Sequence, residues 1–113
     1  MKPKVPTEYE EQVALVSWLD SKGLKYSSIP NSTFTTSWNQ KRKNHMTGLR
    51  AGLPDLLIIT PKGLLFVEMK RTKGGVVSLE QKSWIEELNK CNGVQAEVCL
   101  GCEAAITFVS RFL

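Results

Sequence analysis

Two apolar runs, LLIIT and LLFVEMK, separated only by Pro61-Lys62-Gly63, constrain this chain more than any other stretch. They read as strands over Leu56–Thr60 and Leu64–Lys70 joined by a turn. Leu57, Ile59, Leu64 and Phe66 fall on one face, and Leu56, Ile58, Leu65 and Val67 on the other. A sheet apolar on both faces must be covered on both, which makes these central strands of a layered fold.

Three charged residues collect at one end of the two arms: Asp55, Glu68 and Lys70. With the turn centred between Pro61 and Lys62, directly opposed residues have numbers that sum to 123, as those of Asp55 and Glu68 do. Their Cβ atoms would then lie about 4.5–5.5 Å apart on one face. Lys70, two residues beyond Glu68, points to the same side. Two carboxylates that close repel each other, and a hard divalent cation such as magnesium or manganese removes the conflict. Pro61 cannot take the positive φ of a type I′ turn. A type I turn with a bulged Gly63 would shift the sum to 124 and split the acids between faces. The paired reading therefore requires a four-residue loop or a compensating bulge. The plainer reading makes Asp55 a strand-entrance cap and Glu68 and Lys70 a solvated edge.

The rest of the chain supplies the covering layers. Residues 8–22 predict a helix with Val13, Leu15, Val16, Trp18 and Leu19 on its apolar face, capped by Thr7 and stopped by Gly23. A short strand is expected over Leu24–Ile29, halted at Pro30-Asn31. Ser78 opens a second helix, with Ser78 and Gln81 spaced as a capping box and Asn92-Gly93 as its stop. Val94–Leu100 reads as a third core strand and Cys102–Phe112 as a closing amphipathic helix. The expected class is α/β, with a mixed sheet flanked by helices in one domain over residues 1–113. Trp18, Trp84, Phe108 and Phe112 suit core packing or a subunit interface.

Charge points to a partner. The net charge is +4, and no acid occurs between Asp20 and Asp55, an interval holding Lys41, Arg42, Lys43 and Arg50. Arg71 and Lys73 follow directly on Lys70. Such basic blocks suit phosphate backbones, or else a solvated surface. Residues 31–53 read as a polar loop in which Trp38 either stacks on nucleic acid or plugs the core edge. Cys99 and Cys102 have the C-x-x-C spacing, and only Cys91 and the distant His45 could complete a four-ligand zinc set; odd in number, the three cysteines read instead as small apolar side chains. No apolar run is long enough to span a membrane and no secretory signal precedes the first helix, so a cytoplasmic location is expected.

The segments AGLPDLLI and FVEMKR resemble the PD-(D/E)xK nuclease signature. Together with EEQVALVSWL, IPN, GGVVSLEQKSWIEEL and VCLGCEAAI they resemble the VRR-NUC family of virus-type replication–repair nucleases. The resemblance runs from about Glu8 to the C-terminus. It implies a restriction-endonuclease-like αβββαβα core, magnesium or manganese as cofactor, no organic cofactor, and branched or four-way-junction DNA as substrate. It also implies a homodimer of the stand-alone phage or bacterial type. Asp55 and Glu68 would be metal ligands with the Met69 carbonyl as a third, and Lys70 would orient the attacking water or stabilise charge on the phosphate. An acid of the first helix completes the set; Glu11 is the choice because it directly precedes the family's Gln12, with Glu8 and Glu10 in competition. Gln81 aligns with the family's active-site glutamine. A non-catalytic nucleic-acid-binding module and a sequence-specific restriction-type enzyme are the alternative functions.

Overall fold

The computed structural model describes residues 4–30 and 35–113. In chain order its elements are α1 (Glu8–Ser21), β1 (Lys25–Ser28), α2 (Trp38–Met46), β2 (Leu56–Thr60), β3 (Gly63–Lys70), α3 (Leu79–Asn89), β4 (Val94–Leu100) and α4 (Cys102–Ser110). The sheet order is β1-β2-β3-β4. The first two pairings are antiparallel and β3–β4 is parallel, so the expected mixed sheet is present. The β3–α3–β4 connection is the crossover a parallel pair requires.

One face of the sheet is the main core. Leu56 and Ile58 of β2 and Leu65, Val67 and Met69 of β3 pack there against Leu15 and Leu19 of α1 and Ala105, Phe108 and Val109 of α4. Burying each such leucine stabilises the fold by about 1.5–3 kcal/mol. Trp18 and Phe112 pack against this cluster, so these aromatics serve the core. Cys99 lies inside it, and burial pushes its thiol up to about 12, which leaves it a small apolar side chain at neutral pH. Among the described residues no helix is long and apolar enough to cross a membrane.

Local chemistry sets the helix ends. The Thr7 hydroxyl accepts the Glu10 N–H at 3.1 Å, and the Glu10 carboxylate accepts the Thr7 N–H at 3.0 Å. Ser78 and Gln81 form the same box at α3, at 3.1 and 2.9 Å. At the other end of α3, the Asn89 amide bonds both backbone groups of Ala96 and covers the outer edge of β4. The N-cap of α4 is Gly101, which has no side chain to cap it. Glu11 of α1 takes that role by accepting the Cys102 N–H at 3.1 Å.

Two expectations need correction. The polar stretch 31–53 is not all loop, because α2 forms within it; residues 31–34, at its start, lie outside the described residues. α2 buries no residue and has no apolar stripe. Ser37 caps it, and Arg50 closes its exit by donating to the His45 and Leu49 carbonyls at 3.1 and 3.0 Å. Trp38 does not plug the core: it is 82% exposed, with the Lys41 ammonium 5.5 Å from its ring centroid.

The second correction concerns the turn. The register does sum to 123, from Leu56↔Val67 to Thr60↔Gly63. It needs neither a four-residue loop nor a bulge. Pro61 and Lys62 turn without positive φ, while Gly63 takes φ 142°. The Thr60 hydroxyl braces the turn by accepting the Lys62 N–H at 3.3 Å and donating to the Gly63 carbonyl at 2.8 Å. A Cβ at Gly63 would sit 2.6 Å from the Gly93 carbonyl oxygen, so only glycine fits there.

Candidate active site

β3 runs on past the start of β2, and Glu68, Met69 and Lys70 pair only with Val98, Cys99 and Leu100 of β4. On the β2 side the Met69 N–H therefore lacks a strand partner. Asp55, one residue before β2, accepts it with its own carboxylate at 2.7 Å. This contact places Asp55 beside Glu68 on the face opposite the main core. Asp55 is held from behind as well: its carbonyl accepts the Ile29 N–H at 2.7 Å.

The preceding loop is fixed to α3. A Cβ at Gly52, whose φ is 102°, would lie 2.6 Å from the Glu80 backbone, and the Trp84 indole N–H donates to the Ala51 carbonyl at 3.0 Å. Glycine at 52 thus lets the segment carrying Asp55 close on α3.

Glu68 is 1% exposed and Lys70 is 8% exposed, and the Lys70 ammonium lies 3.5 Å from Glu68 Oε2. The same oxygen accepts an N–H from Gln81 Nε2 at 3.1 Å. Gln81 meanwhile accepts the Ser78 N–H through its Oε1, so one side chain closes the α3 cap and touches Glu68. The other oxygen, Glu68 Oε1, is buried with no hydrogen-bond partner among the described residues. Burial first, and the neighbouring Asp55 charge second, push the Glu68 carboxyl from 4.5 up to about 8, with Lys70 opposing.

The three glutamates at the start of α1 go to three places. Glu10 belongs to the Thr7 capping box, and Glu11 caps α4. Glu8 comes to the hairpin: carboxylate oxygens of Glu8, Asp55 and Glu68 all lie within 4.8 Å of one another. The structure therefore brings Glu8 to the pair, where sequence reasoning preferred Glu11 and kept Glu8 and Glu10 in competition. The Thr7-x-x-Glu10 spacing, itself a capping-box pattern, was the signal that could have removed Glu10 from the competition.

A divalent cation fits these donors. Three hard carboxylates converge and, among the described residues, one offers a buried oxygen without a partner; burial first and the Asp55 charge second make ionised Glu68 costly, and a cation would offset both.

Two stretches carry the expected nucleic-acid contacts: α2 with its exit, and the segment after Lys70. Ser28 pairs with Leu56, so the segment bearing α2 leaves and re-enters the sheet beside Asp55. Lys41, Arg42 and Lys43 are exposed on α2, and Arg71 and Lys73 are exposed on the segment following Lys70. Arg50 is exposed too, though its guanidinium bonds the α2 exit. The cysteines take no part: among the described residues Cys91, Cys99 and Cys102 are free thiols, outside any group of three metal-ligating side chains.

Comparison with known proteins agrees with this geometry. The chain matches the VRR-NUC domain family over residues 4–103. Among curated proteins no relative matches it. A solved structure described as a "VRR_NUC domain protein" superposes with a TM-score of 0.75 at 27% identity, covering 96% of this chain and 89% of that chain. Another, described as a "VRR_NUC domain", gives a TM-score of 0.66 at 21% identity, covers 96% of this chain and 100% of that chain, and speaks for the fold alone. The hairpin site, the sheet that presents it and the match across residues 4–103 lead to one conclusion: the chain belongs to the VRR-NUC family, and through it to a nuclease superfamily.

Proposed function

We propose that residues 1–113 act as one nuclease domain, a magnesium- or manganese-dependent endonuclease that hydrolyses DNA phosphodiester bonds inside the cell. The observation that carries this reading is the convergence of the Glu8, Asp55 and Glu68 carboxylates, one of which has a buried oxygen without a partner among the described residues, with Lys70 alongside. Glu8, Asp55 and Glu68 would hold the cation, with the Met69 carbonyl as a further donor. When bound, such an ion polarises the scissile phosphate and lowers the pKa of a water. Lys70 positions the nucleophile and offsets charge on the phosphate oxygens. Gln81 fixes the Glu68 carboxylate in orientation. Cleavage in line expels the 3′ oxygen and leaves a 5′ phosphate.

Lys41, Arg42, Lys43, Arg50, Arg71 and Lys73 would hold the backbone, and contacts of that kind position DNA without reading its bases. We therefore favour selection of branched or four-way-junction DNA, as in replication, recombination or repair. A homodimer would present the two sites needed to cut two strands.

The test is a cleavage assay on duplex, single strand, flap, splayed arm and four-way junction, in magnesium and in calcium, with Asp55→Ala and Glu68→Ala as controls. Structure-dependent cutting in magnesium, binding without cutting in calcium, and loss in both variants are expected. Binding without cutting in magnesium or manganese would mean a non-catalytic binding module. Discrete fragments from a long random duplex would mean a sequence-specific enzyme.

A further inference from the structure

Beside the carboxylate cluster, a groove of about 550 Å³ opens between α1 and the β1–β2 edge of the sheet. Its walls are mostly apolar: Tyr9, Val13 and Val16 from α1, Tyr26 from β1, and Leu56 from β2. Tyr9 is 77% exposed and Val13 50% exposed, so the rim of the groove is uncovered apolar surface. Tyr26 is a fixed wall, because its hydroxyl donates to Asp20 Oδ1 at 2.6 Å. Gln12 and Ser28 add an amide and a hydroxyl to the lining.

The groove is joined to the cluster at three points. Glu8 lines the groove and contributes an oxygen to the cluster. Leu56 follows Asp55 directly in the chain. Ser28 precedes Ile29, whose N–H donates to the Asp55 carbonyl at 2.7 Å. Among the described residues of the lining Glu8 alone is charged, and it repels a phosphate. A flat, neutral, aromatic group with polar edges suits the lining, and the volume lies within the roughly 300–1,000 Å³ of small-molecule sites. In a strand whose phosphate sits at the carboxylates, the group of that kind within reach is a base of the adjoining nucleotide.

We propose that this groove seats one nucleobase of the substrate strand, stacked on Tyr9, so that an unpaired or extruded nucleotide beside the scissile phosphate is what the protein selects. This rests on the nuclease reading and adds the substrate feature that the groove would recognise. A paired base cannot enter the groove without leaving the helix, and extrusion costs least where a base is already unpaired.

The experiment is a binding scan by fluorescence anisotropy in calcium at fixed salt. Its probes are flap and junction oligonucleotides carrying one abasic residue at each position in turn across the branch. Wild type and Tyr9→Ala are compared; Tyr9 is exposed, and circular dichroism verifies that the variant is folded. One abasic position should weaken wild-type binding on the order of tenfold, the scale of a lost base–aromatic stack. Tyr9→Ala should bind the intact probe about as weakly and lose all response to that position, because the two changes delete the same contact. A flat scan, or losses that simply add, would overturn the proposal. So would a flat scan in which Tyr9→Ala converts a dimer to a monomer in sedimentation, since a second copy would then cover the groove. Cleavage in magnesium is scored separately. A protein that senses one base but does not cut fails only the nuclease reading, and one that cuts with a flat scan fails only this inference.

Discussion

Asp55 Oδ2 accepts the backbone N–H of Met69 at 2.7 Å, where β3 continues beyond the first residue of β2. The carboxylate thus completes a strand ladder and supplies charge to the cluster. The two tasks separate in Asp55→Asn, which keeps an acceptor for Met69 and removes the charge. The variant should melt within a few degrees of wild type while losing cation-induced stabilisation and cleavage together. Thermal melts with and without manganese, beside a cleavage assay, check this. Wild-type turnover in Asp55→Asn would remove the residue from metal binding.

The three glutamates of α1 predict three different phenotypes. Glu8→Gln should abolish cleavage with little change in melting temperature. Glu10→Gln should keep cleavage and weaken the α1 cap slightly, because an amide oxygen still accepts from Thr7. Glu11→Ala should keep cleavage when folded but lose about 1–2 kcal/mol of stability, by stripping α4 of the cap that Glu11 supplies. Melts and single-turnover cleavage of the three proteins decide it. Loss of cleavage in folded Glu11→Ala, with Glu8→Gln active, would restore the assignment drawn from sequence.

Glu68 gives a pH dependence with a definite sign. Its carboxyl is pushed from 4.5 to about 8 in the fold, by burial first and the Asp55 charge second. The folded protein therefore binds the extra proton between those values, and stability is lost as pH rises from about 4.5 through about 8. Melts in chelator should fall across that window, and Glu68→Gln should flatten the dependence and melt higher at pH 8. Divalent cation should reverse the trend, since only the ionised carboxylate ligates. A wild-type profile in chelator that rises with pH over this window would contradict the assignment.

Lys70 is buried against Glu68 and close to where a phosphate would lie. Lys70→Met preserves the packing of the stem and deletes the ammonium. It should reduce cleavage by about 10²–10⁴-fold, the range for a lost proton-transfer or charge-stabilising partner, while DNA affinity in calcium persists. Unchanged turnover would strip Lys70 of its role.

Much of this was legible in the residues themselves. The apolar arms of β2 and β3 announce central strands, and the spacing of Asp55 and Glu68 about the turn gives their register. Thr7 and Ser78 announce the starts of α1 and α3. α2 was invisible because WNQKRKNHM carries no apolar period: it is held by its own caps and packs no side chain into the core. The turn was misjudged because its stability lies in the Thr60 hydroxyl, a side-chain contact that turn-type rules do not register. Glu8 stayed one of three candidates, behind Glu11, because all three glutamates share one turn of helix. Which one meets the hairpin depends on how α1 lies across the sheet, and that is decided by Leu15 and Leu19 farther along.

The brace at Thr60 reaches well beyond its own turn. Strand pairing has only two parities, and a slip of one residue would send Asp55 to the opposite side of the sheet from Glu68. Surface turns ordinarily absorb insertions and deletions freely. Here a single-residue length change that shifts the pairing would act like deletion of a carboxylate about 17 Å away, five residues along an antiparallel strand. Drift in the length of this turn is therefore tied to the carboxylate cluster at the far end of the hairpin, and a library that randomises residues 60–63 in length would be sampling the assembly of that cluster under the guise of loop engineering.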